Sequence, residues 1–302
     1  MRTTPILGMA GLGTMGSAIA TRLIHGGHRV IVYDPVQAKV SDLLAIGADA
    51  AGSLIDLANK ADAVFMSLPT PQVVRQASIG EEGLIHGSRA KTIIDLSTTG
   101  REVSETVATT VEAAGKVFID APVSGGGSGA VNGTLAIIAA GAHDVITELT
   151  QAFECFGRLF IVGDKPGQAQ ILKVINNMIS VTSLAITSEA MVLGTKAGLD
   201  PDAMIDVFNA SSGRTTSSTD KIPNHVLTRG FDFGMTVGLS AKDIRLCLEE
   251  SDRNGVPMVI GSAVRQLLHI TRDQFGPEVD MTNIIRVIEQ WGHVEVKGRA
   301  AE

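Results

Sequence analysis

Apolar residues in the first half of the chain recur in short runs that alternate with helical stretches. The runs lie between residues 6 and 163 and read ILGMA, RVIVYD, AVFMSLP, TIIDLS, VFIDAPV, TLAIIAAG and LFIVG. Such alternation is typical of βαβ units. We therefore predict an α/β domain whose doubly wound, mostly parallel sheet has helices on both faces.

After Gly163 the apolar positions follow a helical period over longer segments. These read LKVINNMISVTSLAITSEAMVLGTKAG, DAMIDVFNASS, AKDIRLCLEESDRNG and MVIGSAVRQLLHITRDQFG. The pattern predicts an all-α second domain. A length of 302 residues also favours two domains. We place them at 1–165 and 166–302, joined by a long helix that leaves the first domain.

Composition favours a small-molecule partner. The chain has 44% hydrophobic and 19% charged residues, with a net charge of -7 and no long run of either sign. Neither a nucleic acid nor a membrane surface is therefore expected as a partner. Cys155 and Cys247 lack CxxC spacing and the histidines are scattered, so we predict no metal site and reduced thiols in a cytoplasmic protein.

Two apolar segments could suggest export or membrane insertion, and we expect neither. The N-terminal run reaches a glycine turn too soon to hold the parts of a signal peptide. The apolar helix at about 170–194 is interrupted by polar residues that include Lys173, Asn177 and Glu189. A buried helix fits this pattern better than a membrane span.

The sequence GLGTMG at residues 11–16 stands between the first predicted strand and a helix. In that context Gly11 allows a tight turn, Gly13 lets the backbone approach a pyrophosphate, and Gly16 permits close helix packing. Asp34 ends the next strand, where its carboxylate can bind a ribose diol and repel a 2′-phosphate. We predict NAD, preferred over NADP, on Gly11, Leu12, Gly13, Thr14, Met15, Gly16 and Asp34.

Three further stretches place polar or unhindered groups where strands end, the edge at which open α/β sheets bind ligands. Leu68 and Pro69 follow one strand, and Ser97 and Thr98 follow the next. The segment DAPVSGGGSGAVNGT offers the Ser124 hydroxyl and the N–H groups of Gly125 and Gly126, which suit a carboxylate. The alternative is a flexible glycine loop.

The predicted long helix carries a polar stripe. Asn177 lies about 40° around the helix from Lys173, and Ser180 about 20° on the other side. A lysine among apolar neighbours tends to have a depressed pKa and can exchange a proton near neutral pH. The alternative is a lysine that extends to solvent.

These residues resemble the β-hydroxyacid dehydrogenase family over nearly the whole chain. The matching motifs are GLGTMG at 11–16, DAPVSGG at 120–126, GQAQILKVINN at 167–177 and AKDIRL at 241–246. The resemblance implies a Rossmann domain, a long interdomain helix and an all-α domain that builds homodimers or homotetramers. It also implies reversible NAD-dependent oxidation of a small 3-hydroxy acid, such as 3-hydroxyisobutyrate, to its semialdehyde or keto acid.

Roles follow from the resemblance residue by residue. Lys173 would be the catalytic acid/base and Asn177 would help to bind the substrate. The carboxylate of the substrate would bind to Ser124, Gly125 and Gly126. The residues expected to contact the nicotinamide half of the cofactor are Leu68, Pro69 and Thr98, and Lys242 would reach the site from the helical domain.

The chain also differs from relatives in informative ways. NADP-preferring relatives usually place an arginine after the second strand, where this chain has Pro35. Ala169 replaces the second glycine of the lysine motif, which leaves substrate identity open. Arg214, in the hydroxyl-rich segment 209–219, could contact an acidic or polar substrate tail or lie on a surface loop. Phe231 and Phe233 could line the pocket or belong to the core.

Two other functions remain open from the sequence. Imine reductases share the architecture, although they commonly carry another residue at the position of Lys173. A non-catalytic NAD-binding protein would keep the fold without the chemistry, and the pair of Lys173 and Asn177 weighs against it.

Overall fold

A computed structural model describes residues 5–301. The chain divides into two compact units, the first ending at Lys173 and the second beginning at Val174. The division falls inside one long helix, Gln168–Lys196.

The first unit contains a single sheet. Within the described residues its strands are β1 Leu7–Ala10, β2 Val30–Tyr33, β3 Asp49–Ala50, β4 Ala63–Met66, β5 Thr92–Asp95, β6 Val117–Asp120, β7 Val123–Ser124, β8 Leu135–Ala140 and β9 Gly157–Gly163. Their order is β3-β2-β1-β4-β5-β6-β8-β7, with β9 also paired to β8. From β3 to β6 all pairs are parallel, while β8 runs antiparallel to both β6 and β7. The strand order therefore reverses direction between β1 and β4, where open sheets bind ligands.

Helices cover both faces of this sheet. They are α1 Thr14–His25, α2 Gln37–Leu44, α3 Leu54–Lys60, α4 Pro71–Ile79, α5 Arg101–Ala113, α6 Gly126–Asn132, α7 His143–Glu148 and α8 Thr150–Glu154. Alternate strand residues enter two separate cores. Phe65 packs on the side of Ile19 in α1, whereas Val64 and Met66 pack on the side of Val107 in α5. Both faces are buried, which explains the continuous apolar runs.

The second unit is helical. Its helices are the remainder of α9 Gln168–Lys196, then α10 Pro201–Ala210, α11 Val237–Asn254, α12 Val259–Phe275 and α13 Ile284–Gly292. Its core includes Leu184 of α9, Ile244 of α11 and Leu268 of α12. The predicted fold class, a mostly parallel sheet followed by an all-α region, is confirmed.

Several elements were not predicted. The two-residue strands β3 and β7 are too short to show a period of two. A π-helical segment at Ser217–Val226, with Pro223 inside it, overlaps the end of the hydroxyl-rich segment. Helix α13 was also not predicted, although isoleucines and a valine lie on one of its faces.

The long helix α9 has the length and composition of a membrane-spanning helix, and half of its most apolar window is buried within the protein. This combination is also found in the core helices of soluble proteins, so the feature is weak evidence of a membrane span.

Candidate active site

The glycine turn, residues 11–16, connects β1 to α1 and needs glycine for different reasons at different positions. Gly11 has φ 88°, and a Cβ there would lie 2.3 Å from the carbonyl oxygen of Ser67. A Cβ on Gly16 would lie 1.9 Å from the carbonyl oxygen of Gly11. At Gly13 a Cβ would meet no atom of residues 5–301 within 4 Å. Gly11 and Gly16 are therefore required by the protein itself, whereas Gly13 leaves open space that a pyrophosphate could approach.

Asp34 holds the glycine turn against the end of β2. Its Oδ2 accepts a hydrogen bond of 2.8 Å from the Leu12 N–H, and its Oδ1 accepts one of 2.9 Å from the Val36 N–H. Lys39 Nζ lies 3.7 Å from Oδ2. A carboxylate has about four acceptor positions, so these contacts leave room for ribose hydroxyls.

The remaining residues of the turn divide between core and solvent. Leu12 is buried and Met15 packs on the core, while Gly13 and Thr14 are exposed at the first residues of α1. The exposed N–H groups at this helix N-terminus are suited to an anionic phosphate. The residues present thus fit a dinucleotide.

The ends of β4 and β5 are tied together by Ser97. Its hydroxyl accepts a hydrogen bond of 2.9 Å from the Leu68 N–H, and its own N–H donates to Asp95 Oδ1 at 2.9 Å. Thr98 is half-buried beside this link, and Pro69 is exposed. The structure therefore brings together the strand ends from which Leu68, Pro69 and Thr98 were predicted to act.

The segment after β6 approaches the glycine turn. Ser124 ends β7, and α6 begins at Gly126. Gly125 and Gly126 have φ of 134° and 64°, a region that favours glycine. A Cβ on Gly127 would lie 3.2 Å from Thr14 Cγ2. The predicted carboxylate-binding loop and the predicted phosphate-binding turn are thus neighbours in the first unit.

The first turn of α9 is fixed to the sheet by two buried side chains. Asp120 Oδ2 accepts hydrogen bonds of 3.0 and 3.1 Å from the Gly167 and Gln170 N–H groups. The Gln170 side-chain amide accepts from the Thr99 N–H at 3.0 Å and donates to the Ser97 carbonyl at 3.0 Å. Burial is the main cause that raises the pKa of Asp120, to about 7.

Lys173 follows this fixed turn and is only 7% exposed. It lies one helical turn before Asn177 on α9, as the sequence predicted. Ala169, the departure from the family motif, is buried and packs with Ile138 and Ala140. Its methyl group therefore belongs to the core of the first unit.

In the second unit, Asn177 belongs to a group of polar residues that we call the polar cluster: Asn177, Ser180, Lys221, Lys242 and Asp243. Asn177 Nδ2 donates to Asp243 Oδ2 at 2.6 Å, and Lys242 Nζ lies 3.2 Å from Asp243 Oδ1. Asp243 thus orients Asn177 and pairs with Lys242.

A second contact extends the polar cluster along α9. Lys221 Nζ donates to Ser180 Oγ at 2.6 Å. The sequence placed Ser180 on the polar stripe but gave no sign of its partner, because Lys221 lies in the unpredicted π-helical segment. Asp243 could have been suspected, since it directly follows Lys242 in the AKDIRL motif.

Arg214, suggested for the substrate tail, and Phe231 and Phe233, suggested for the pocket, have different surroundings in the structure. Arg214 is exposed in the segment between α10 and the π-helical segment. Phe231 and Phe233 pack against the core of the second unit. Phe233 also lies beside Lys221, with Nζ 5.4 Å from the ring centroid.

Each half of the chain matches a family of NAD-binding dehydrogenase domains. Residues 6–163 match the NAD binding domain of 6-phosphogluconate dehydrogenase. Residues 167–288 match a family described as the NAD-binding domain of NADP-dependent 3-hydroxyisobutyrate dehydrogenase.

Curated relatives align over almost their whole length. The 2-(hydroxymethyl)glutarate dehydrogenase of Eubacterium barkeri is 31% identical, with 97% of each chain covered. The 3-hydroxyisobutyrate dehydrogenase of Pseudomonas aeruginosa is 34% identical, with 91% of this chain and 95% of that protein covered. Among solved structures, the 3-hydroxyisobutyrate dehydrogenase of Mycobacterium tuberculosis with L-serine has a TM-score of 0.85 at 26% identity, covering 95% of this chain and 99% of the other.

Proposed function

Because the chain belongs to the β-hydroxyacid dehydrogenase family, we propose that it catalyses the reversible, NAD-dependent oxidation of a small 3-hydroxy acid, with Lys173 as the general acid/base. The product is the corresponding semialdehyde or keto acid. The observation that carries the role of Lys173 is its burial directly after a helical turn that Asp120 and Gln170 fix to the sheet.

The side chains and backbone N–H groups of the site have separate roles in the proposed reaction. Lys173 accepts the hydroxyl proton, and Asn177, oriented by Asp243, binds the reacting oxygen. Ser124 and the N–H groups of Gly125 and Gly126 bind the carboxylate, while Leu68, Pro69, Thr98 and Lys242 contact the cofactor. When bound, the nicotinamide supplies the hydride acceptor.

Initial rates with a hydroxy-acid panel test the reaction. The panel includes 3-hydroxyisobutyrate, glycerate, serine, 3-hydroxypropionate and 2-(hydroxymethyl)glutarate. Lys173→Ala should reduce kcat by about 10²-fold or more while NADH binding stays intact. Lys165→Ala, at an exposed lysine before α9, is the control and should change kcat by less than about twofold. Near-normal turnover of the Lys173 variant would contradict its role.

The preference for NAD over NADP is part of the proposal and is supported by Asp34. This carboxylate is 5% exposed and lies against the glycine turn, where it would repel a 2′-phosphate. Lys39 offsets part of that charge. The ratio of kcat/KM for the two cofactors measures the preference, and an equal or higher value with NADP would refute it.

We also propose a homodimer or homotetramer in the cytoplasm. Within the second unit, α9 exposes Ile175, Ile179, Ile186 and Leu193 by 40%, 65%, 58% and 70%. Their spacing places them on one helical face, and burying such a face stabilises association. Light scattering should show an oligomer, and Ile179→Lys with Ile186→Lys should weaken it. A monomeric wild-type protein would refute the assembly, and cell fractionation tests the location.

A further inference from the structure

Lys221 is a buried cation that the proposed reaction does not use. It is 2% exposed and lies in the π-helical segment Ser217–Val226. π-Helical segments are rare, and many of those known lie at functional sites. Transferring a charged ammonium into the protein interior costs free energy unless other groups compensate the charge.

The groups around the Lys221 ammonium are neutral. Nζ donates to Ser180 Oγ at 2.6 Å and to the Ser180 carbonyl at 3.3 Å, and the Phe233 ring centroid lies 5.4 Å away. Within residues 5–301, no carboxylate lies in ion-pair distance of Nζ. An ammonium has three donors, so one remains beyond the two bonds to Ser180.

The charge of Asp220 favours the protonated form of Lys221 through space. Its side chain is 51% exposed and accepts a hydrogen bond of 2.9 Å from Asn224. Water therefore screens much of its effect. Burial lowers the pKa of Lys221 to about 8, so the ammonium remains mostly protonated at neutral pH.

The two lysines of the polar cluster differ in this respect. Lys242 lies 3.2 Å from Asp243 Oδ1, so its charge is paired within the protein. Lys221 has hydroxyl, carbonyl and aromatic neighbours but no such partner among the described residues. Ser180, which holds it, follows Asn177 by three residues on α9, a rise of about 4.5 Å along the helix axis. The unpaired charge is thus close to the residue proposed to bind the substrate oxygen.

We propose that Lys221, held by Ser180, binds a second acidic group of the substrate, which is therefore a 3-hydroxy acid with an additional carboxylate or phosphonate on its tail. This inference rests on the proposed function. The acidic tail supplies the negative charge that the surroundings of Lys221 lack, and a charge-assisted hydrogen bond fixes its position.

A matched pair of substrates isolates the tail. 2-(Hydroxymethyl)glutarate and 3-hydroxyisobutyrate share the reacting half, and only the former carries a second carboxylate. The quantity measured is the ratio of kcat/KM for the diacid to that for the monoacid. We expect wild-type enzyme to favour the diacid, and Lys221→Met to lower the ratio by roughly 10- to 100-fold.

Two variants separate charge from general damage. Lys221→Arg keeps the cation and should retain part of the preference. Lys116→Met removes a different buried lysine, whose ammonium donates to the Gly87 and Ala90 carbonyls at 2.6 Å, and should leave the ratio unchanged. If thermal melting shows that Lys221→Met does not fold, Lys221→Gln, which still offers Ser180 a donor, makes the same comparison.

The possible failures are distinguishable. A wild-type preference for the monoacid, or a ratio that Lys221→Met leaves unchanged, overturns the anion site while the dehydrogenase function stands. If no hydroxy acid is oxidised, the proposed function fails. Calorimetric Kd values for the same two acids then decide the anion site: tighter diacid binding that depends on Lys221 supports it, and equal binding overturns it.

Discussion

The glycine turn of the first unit and the polar cluster of the second are specified in different ways. In the turn, Gly11 and Gly16 are required because a Cβ would collide with backbone oxygens. In the polar cluster, Lys221 and Asp243 act through partners on α9 that are distant in sequence. A backbone constraint leaves a local spacing that can be read from sequence, whereas side-chain pairing depends on how helices pack.

The largest expected effect comes from the turn. Gly16→Ala places a Cβ 1.9 Å from the Gly11 carbonyl oxygen, so the turn must shift. We expect the free energy of unfolding to fall by about 3 kcal/mol, as for a severe steric clash in a packed site. Urea unfolding of the full chain, followed by circular dichroism, measures this change.

Gly13→Ala is the matched control. Its Cβ meets no atom within 4 Å in the part of the chain that the structure describes, and the φ of -70° at this position suits alanine. The variant should keep its unfolding free energy within about 0.5 kcal/mol but bind NADH more weakly, because the methyl group occupies the approach of the pyrophosphate. Equal destabilisation by both substitutions would remove the distinction between the two glycines.

A smaller effect is expected in the polar cluster. Asp243→Asn weakens the 2.6 Å bond from Asn177 and removes the charge opposite Lys242. Since hydrogen bonds to buried charged groups contribute about 1.5–3 kcal/mol, we expect a loss of about 2 kcal/mol in stability. The kcat for hydroxy acids should also fall, because Asn177 loses its fixed orientation.

Glu249→Gln provides a control on the same helix. Glu249 is 46% exposed and pairs with Arg245 one turn away. Its replacement should cost less than about 0.5 kcal/mol, as for other surface ion pairs. If Asp243→Asn is equally mild in both stability and turnover, the polar cluster does not orient Asn177.

Much of the fold was predictable because it follows from periodicity. The runs at β1, β2, β4 and β5 are buried on both faces, and the sequence shows them as continuous apolar stretches. The two-residue strands and the π-helical segment were not predictable, since neither is long or regular enough to set a period.

The candidate site was predictable to a similar extent. Glycine spacing and the position of Asp34 after β2 are local features. The roles of Gln170 and Asp120 depend instead on where α9 begins relative to β5 and β6. Gly167 follows Asp120 by 47 positions, and this separation conceals their contact in the sequence. Lys221 is hidden for the same reason, because Ser180 lies 41 residues before it.

Asp120 combines the two kinds of constraint. Its buried side chain pairs with residues distant in sequence, and it also holds the backbone at the start of α9. Burial raises its pKa to about 7, the hydrogen bonds from Gln170 and Gly167 oppose the increase, and the charge of Asp95 adds to it. Between pH 4 and pH 7 the folded protein therefore holds a proton that the unfolded protein has lost. This contribution to stability is present at low pH and is lost as the pH rises through about 7.

Asp120→Asn should abolish that dependence, because the amide oxygen still accepts from Gly167 and Gln170 but does not titrate. Relative to wild type, the variant should gain about 1 kcal/mol between pH 6 and pH 7. Over that interval the folded wild-type protein, with an Asp120 pKa of about 7, still holds most of a proton that the unfolded chain has lost, and each pH unit then changes its stability by up to about 1.4 kcal/mol. Urea unfolding at both pH values measures the difference, in which other titrating groups cancel. A wild-type-to-variant difference that is the same at pH 6 and pH 7 would show that Asp120 is ionised throughout and caps α9 as a permanent anion.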